Sequence, residues 1–371
     1  MNATATPAWR PTAACIWNSF RHSGKCHLLL TGGRGAGKST LLAALAAALP
    51  AAPPALVTRA EPGRAVLLRE TATGAEMPVG RFDPALPGPE NRMRPLPQGF
   101  LALGVPALGR CAQAAGEWVM IDEVGYLETA CPPYTAALTA LMDQKRLLAA
   151  VRKQDLPFLQ SLLRRADVFA VDLDAPFGRS GCVIMASGLG VRFGGNKLLA
   201  PFGGQPLILR ALAATAGLFA RRVLVTRAPA VAQLAREQGV QAVLHSLPQR
   251  SDTVRLGLWA FGGAAGLDGV LFCPGDQPLL RRETVAALLL CAAADPHSIW
   301  RPAHRGRPGA PVWFPAQVLP ELAALPPGRG GTAVVGAHPD RVRCLEVADA
   351  AELADVDTPG DLAALQRRAG G

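Results

Sequence analysis

Apolar runs that end in glycine turns and lead into alanine- and leucine-rich stretches recur twice along this chain. "CHLLLTG" has the unbroken hydrophobicity of a short strand buried on both faces, and "KSTLLAALAAALP" behind it predicts a helix that stops near Pro50. From residue 51 to 106 many prolines and "ATGAEMPVGRF" predict hairpins and loops instead of long helices. "EWVMIDEVGYLE" reads as a buried strand running into a loop, "PPYTAALTALMDQK" as a helix with proline at its start, and "RLLAAVRK" and "ADVFAVDLDA" as strands around "DLPFLQSLLRR". The pattern then restarts at "PFGRSGCVIMASG". Strands are predicted at "RRVLVTR", "QAVLHS" and "GVLFCPGD", and helices at "LILRALAATAGLFA", "PAVAQLAREQG" and "RETVAALLLCAAA". Strands alternating with helices imply mostly parallel sheets, so an α/β chain is expected, with a tail over residues 1–25, one domain over 26–175 and a second over 180–371.

Composition narrows the classes. The 371 residues suffice for two domains with a core each. No apolar stretch reaches the length needed to cross a bilayer, and the start lacks a basic segment leading into an apolar one, so a cytoplasmic protein without membrane partners is expected. The eight cysteines never fall two to four residues apart, which suggests buried thiols and neither zinc nor disulfides. A net charge of +10, spread as 18 cations against 14 acids in residues 1–175 and 20 against 14 beyond, favours anionic ligands. The arginines are dispersed and aromatics are few, so no nucleic-acid partner is expected.

"GGRGAGKS" satisfies G-x-x-x-x-G-K-[ST] between a predicted strand and helix. Gly32, Gly33, Gly35 and Gly37 let backbone N–H groups turn toward phosphates, with the amides of Lys38, Ser39 and Thr40 following at the helix start. Lys38 reaches the outer phosphates, and the Ser39 hydroxyl is a magnesium ligand. "WVMIDE" supplies Asp122 for the hydrated metal and Glu123 to orient or deprotonate water; two solvated acids at a strand end is the plainer alternative. Glu128 is either a site residue or a surface acid, and Arg59, Arg64 and Arg69 are unranked candidates for the transition-state cation. Through "VMIDEVGYLE" and "LVTRAEPGRAVLLRETATG", residues 26–174 resemble the small P-loop nucleoside-triphosphatases of bacteria and archaea. Tyr126 departs from a lysine frequent there, which leaves ATP or GTP as the nucleotide.

"MASGLGVRFGGNK" matches neither a Walker A loop nor a dinucleotide fingerprint. Its glycines again permit close backbone approach, through Ala186, Ser187, Gly188 and Gly190, but its cations, Arg192 and Lys197, are mobile side chains. That suits displacement at an α-phosphate, where the leaving pyrophosphate gathers charge. "VLFCPGDQPLL" offers Asp276 as the acid for a metal. These segments, with "RPGAPVWF" and "ADVDTPGDL", resemble the nucleotidyltransferases of molybdenum cofactor biosynthesis, more closely the cytidylyltransferase branch. The resemblance implies a P-loop three-layer domain followed by a Rossmann-like domain of the nucleotide-diphospho-sugar transferase type. It implies Asp276 and Asp357 as Mg²⁺ ligands, and Arg250 and Thr253 in "QRSDTVRLGL" near the base, where a capped helix start is the alternative. CTP is the expected nucleotide, molybdopterin carrying molybdenum the acceptor substrate, and molybdenum hydroxylases of the xanthine dehydrogenase type the users. A guanylyltransferase on the same acceptor, a cytidylyltransferase on a sugar or polyol phosphate, and a P-loop switch or chaperone for cofactor delivery are the alternatives. The histidines and tryptophans of this half carry no assigned role.

Overall fold

The computed structural model describes residues 9–86, 92–262 and 266–370. The chain forms two compact units, one spanning Thr12–Asp174 and the other Ala175–Gly371 together with residues up to Pro11.

The first unit runs α1 (Ala13–His22), β1 (His27–Thr31), α2 (Lys38–Ala47), then the strands β2 (Ala55–Glu61), β3 (Ala65–Glu70), β4 (Glu76–Phe82) and β5 (Met93–Pro95). A short α3 (Pro97–Gly99) passes through a π-turn at Phe100–Gly104 into α4 (Val105–Gln113). β6 (Trp118–Val124), α5 (Tyr126–Thr129), α6 (Pro132–Met142), β7 (Arg146–Val151), α7 (Pro157–Leu163) and β8 (Val168–Asp172) complete it. One sheet orders the strands β5-β4-β3-β2-β6-β7-β1-β8. It is antiparallel from β5 to β2 and parallel from β2 to β8. Every side chain of β1 is buried, as its unbroken apolar run demands.

Two sequence expectations change here. Residues 13–22 are not part of a tail: Thr12 caps α1 by accepting from the Cys15 amide, and Trp17 and Phe20 pack against Trp118. Trp17 also donates from its indole to the Leu45 carbonyl at 3.0 Å. Trp9 belongs to the other unit, where its amide donates to Gly217 and its ring stacks on Phe177; residues 1–8 lie outside the described residues. Residues from Pro97 onward form a helical stretch where the prolines predict loop. Pro97 sits in the first turn, where a missing N–H costs no helical bond, and Pro106 falls where the π-turn passes into α4.

The second unit begins with β9 (Ser180–Ala186), a two-residue hairpin of β10 (Pro201–Phe202) and β11 (Gln205–Pro206), and α8 (Ile208–Ala214). It continues with β12 (Arg221–Thr226), α9 (Pro229–Glu237), β13 (Gln241–Leu244), α10 (Arg250–Trp259), β14 (Gly269–Pro274), α11 (Arg282–Ala294), β15 (Ile299–His304), β16 (Arg307–Pro308) and β17 (Val312–Pro315). The last elements are α12 (Leu319–Ala323), α13 (Thr332–Ala337), β18 (Val342–Glu346) and α14 (Pro359–Gly370). The order is β13-β12-β9-β14-β17-β15-β16, with β18 on β15. β13, β12, β9 and β14 are parallel, and β17 is antiparallel to both neighbours. Connections leave β9 toward β12 on one side and reach β14 on the other. The crevice at the carboxyl ends of β9 and β14 is therefore the switch point where such sheets bind ligands. Trp300 and Trp313 are buried in the core of this unit.

Candidate functional sites

In the first unit the loop between β1 and α2 makes its turns at Gly35 and Gly37, both with φ in the left-handed region, so that α2 starts at Lys38. The Lys38 ammonium folds back on its own loop, donating to the Gly32 and Gly33 carbonyls at 2.6 and 2.8 Å. Burial lowers its pKa, and Arg152 adds to that while Glu123 opposes it. Ser39 and Thr40 are exposed on the first turn of α2. Asp122 accepts from the Thr58 amide at 2.8 Å and from its hydroxyl at 3.1 Å; burial nevertheless pushes its pKa up to about 6. Glu123 forms an ion pair with Arg152.

Arg152 was not singled out in the sequence, yet its position is telling. It directly follows β7, the strand lying between β6, which carries Asp122 and Glu123, and β1, which feeds the glycine loop. Its guanidinium lies 5.6 Å from the centre of the Tyr126 ring. Next to it Lys153 holds Asp172 and Asp174, and Asp174 accepts the Gly33 amide at 2.9 Å. Sequence spacing hides all of these, because β7 and β8 come more than a hundred residues after the loop. Arg59, Arg64 and Arg69 instead pair with Glu61 and Glu76 along the antiparallel strands. Glu128 is not a surface acid: it is buried and accepts the Gly125 amide at 2.6 Å, capping α5, and burial pushes its pKa to about 7.

In the second unit the glycine loop after β9 closes on itself at Gly190, whose φ of +60° and close approach to the Gly195 carbonyl exclude a side chain. The loop delivers Lys197 into a nearly buried position, 2.6 Å from Asp276 and 3.1 Å from Asp357. The exposed Arg192 grips the other Asp357 oxygen at 2.8 Å. Burial works against the Lys197 charge, but Asp276 and Asp357 together raise its pKa above the usual value. Asp357 is lowered, chiefly by its hydrogen bond with Lys197. Asp355, nearby, is raised by burial and then by the charge of Asp276. Residues 160 apart in sequence thus meet at one ammonium.

The donors suit Mg²⁺: the hard carboxylate oxygens of Asp276 and Asp357 come from two segments and face two cations, Lys197 and Arg192, while Asp355 adds a third acid close enough to feel them. Among the described residues no group of three acidic, histidine or cysteine side chains is spaced to hold a metal alone.

Ala186 ends β9, and Ser187 and Gly188 open the loop. Ser187 donates to the Val225 carbonyl at 3.1 Å and meets His245 Nε2 at 2.8 Å, a partner that sequence reasoning left unassigned. Arg250 and Thr253 lie in the first turn of α10. Asp252 caps this turn, accepting the Gln249 amide at 2.9 Å. α10 packs closely on β9 because Gly257 faces Val183, where an added Cβ would lie 2.5 Å from a methyl group. No helix among the described residues is long and apolar enough to cross a membrane, and six of the eight cysteines are buried.

Residues 182–342 match the MobA-like NTP transferase domain, and residues 90–175 match the NTPase family. The chain therefore joins an NTPase domain to a MobA-like NTP transferase domain. Solved structures similar to it include the homologue, from Mycobacterium sp. strain JC1, of the Mycobacterium tuberculosis protein Rv0371c, at 26% identity over 51% of this chain and 98% of that one, with a TM-score of 0.44. A nucleotidyl transferase from Methanothermobacter thermautotrophicus is 22% identical over 51% and 97%, and a CMP:2-keto-3-deoxy-manno-octonic acid synthetase complexed with CTP is 18% identical over 52% and 98%; both have TM-scores of 0.44. No curated protein matches the chain.

Proposed function

We propose that the second unit transfers a cytidylyl group from CTP to molybdopterin carrying molybdenum, releasing pyrophosphate, and that the first unit hydrolyses ATP or GTP. The observation that carries the first half of this reading is the meeting of Lys197, Arg192, Asp276 and Asp357 beside the switch point of the sheet. A terminal phosphate oxygen of the acceptor attacks the α-phosphorus of CTP, a new P–O bond forms, and the bond to the bridging oxygen breaks with its electron pair leaving on pyrophosphate. Lys197 and Arg192 hold the triphosphate and offset the charge that grows on the leaving group. Asp276 and Asp357 would hold Mg²⁺, which supplies Lewis-acid polarisation of the phosphate oxygens when bound. Ala186, Ser187, Gly188 and Gly190 line the nucleotide from the loop, with Arg250 and Thr253 toward the base.

In the first unit, the Gly32–Thr40 loop and Lys38 hold the phosphates, Ser39 and Asp122 would hold Mg²⁺, and Glu123 orients the attacking water. Arg152 is the cation between these segments. Its move from Glu123 to the outer phosphate would free the base and meet the developing charge together.

Conversion of the molybdenum cofactor with CTP or GTP and Mg²⁺, with the product identified by mass, tests the reading. A cytosine dinucleotide, lost in Asp276→Ala and kept in Lys38→Ala, supports it. A guanine dinucleotide alone overturns the base, and product from a sugar or polyol phosphate alone overturns the acceptor.

A further inference from the structure

A row of polar contacts joins the turn after β14 to the segment before α14. The Asp276 carbonyl accepts the Val356 amide at 3.0 Å, and the buried Gln277 side chain donates from its amide nitrogen to the Leu353 carbonyl at 3.1 Å. Further along the row Glu352 is buried, ion-paired with Arg281 and accepting the Thr284 hydroxyl at 2.6 Å. At the other end Asp361 accepts the amides of Asp357 and Thr358 at 3.1 and 2.8 Å. Asp357 thus projects from a segment pinned on both sides.

Packing alone does not account for Gln277 in this row. Its Oε1 is buried without a hydrogen-bond partner among the described residues. An unpaired buried amide oxygen costs stability, and a methionine of similar volume would fill the place without that cost. What methionine lacks is the pair of N–H hydrogens. One of them is spent on the Leu353 carbonyl, and the other faces the Asp355 carboxylate, whose ionised form it favours. Turning the amide over would set Oε1 against these two acceptors, so proton counting fixes its orientation. One side chain of the turn therefore holds positions 353 and 355, while its neighbour Asp276 holds position 356 and directs its own carboxylate to Lys197. With Asp355 engaged in this way, Asp276 and Asp357 are the pair that meets the ammonium.

We propose that Gln277 is a positioning residue for the metal: it sets the spacing of Asp276 and Asp357 and keeps Asp355 out of the ligand pair. The inference rests on the nucleotidyltransferase reading, in which those two acids hold the ion, and deepens it. Residues that orient metal ligands from behind are part of a site's affinity although they never touch the ion.

The test is equilibrium binding of CTP to the full chain carrying Lys38→Ala to silence the first site, measured once with Mn²⁺ and once with EDTA. The ratio of the two affinities reads how well the acids hold the ion. Gln277→Met should cut that ratio by at least about tenfold and leave the affinity in EDTA unchanged. Asp355→Asn, which still accepts the Gln277 amide, should keep most of the ratio, and Asp357→Ala should lose it. Thr284→Val removes a contact farther along the row and should lower the thermal midpoint without moving the ratio. In transfer assays Gln277→Met should raise the KM for Mg²⁺ more than it lowers kcat. A ratio unmoved in Gln277→Met overturns the role, as does an equal fall in Thr284→Val, which would mark general loosening. A fall in Asp355→Asn as large as that in Asp357→Ala makes Asp355 a ligand and overturns it too. CTP binding that Mn²⁺ fails to strengthen with Gln277 intact overturns the metal-dependent reading on which the role depends.

Discussion

Both glycine loops carry a lysine, but they hold it in opposite ways. Lys38 is fixed at the first position of α2, and its partners are carbonyls of its own loop five and six residues away. Lys197 follows a loop without a long helix and is held by two carboxylates, Asp276 in the turn after β14 and Asp357 in the segment before α14. The first arrangement is local, so its chemistry is encoded in eight consecutive residues. The second is assembled across the unit, and the same lysine ties Asp276 and Asp357 to the glycine loop. A local cradle suits a phosphate gripped from one side, whereas the distributed one suits a displacement whose two ends must be clamped at once.

Separating the two sites gives the largest expected effect. Lys38→Ala should lower triphosphate hydrolysis by about 10³-fold and leave nucleotidyl transfer unchanged, and Asp276→Ala should do the reverse, as read by parallel assays on one preparation. Any cross-effect would mean that the two reactions are coupled through the chain.

Next in size is the pH response of Glu128. Its pKa stands near 7 in the folded unit against an ordinary 4.5, so the folded state gains from the bound proton below 4.5 and loses that gain as pH rises through 7. Raising the pH from 5 to 8 should therefore cost the first unit about 2–3 kcal/mol. Glu128→Gln, which can still accept the Gly125 amide, should remove most of that slope in urea unfolding at the two pH values. An unchanged slope would mean that the carboxylate stays ionised in its buried place.

Arg152→Ala should lower kcat for hydrolysis by about 10²-fold with nucleotide binding retained, and Arg152→Lys should recover only part of it because the planar fork is lost. Equal loss of kcat in Arg59→Ala would return the role to the antiparallel strands. The smallest effect belongs to packing: Gly257→Ala should cost the second unit about 1–3 kcal/mol by pushing α10 off Val183, and should weaken nucleotide binding more than it slows transfer.

The Gly32–Ser39 loop, Asp122 with Glu123, and the alternation of strands and helices were legible because each is written in adjacent residues. Ser187 and Asp276 were legible as loop and strand-end residues. Their partners were not: His245 is an isolated histidine in the sequence, and Arg152 is one of many dispersed arginines. Glu128 reads as an ordinary acid beside a Walker-type strand, because burial is a property of the packed unit and not of the tetrapeptide around it.

The sequence by itself determined the local features: where strands start and end, where glycine allows positive φ, and which residues can carry phosphate chemistry. Periodicity and backbone sterics act over a few residues, so a few residues record them. Tertiary structure alone decided which charges meet. Strand order put Arg152 between the loop and its acids, and put Ser187, Arg227 and His245 at neighbouring strand ends. Asp357 reaches Lys197 across 160 positions of chain. Those pairings depend on distances of a few ångströms between segments whose separation along the chain carries no trace of them.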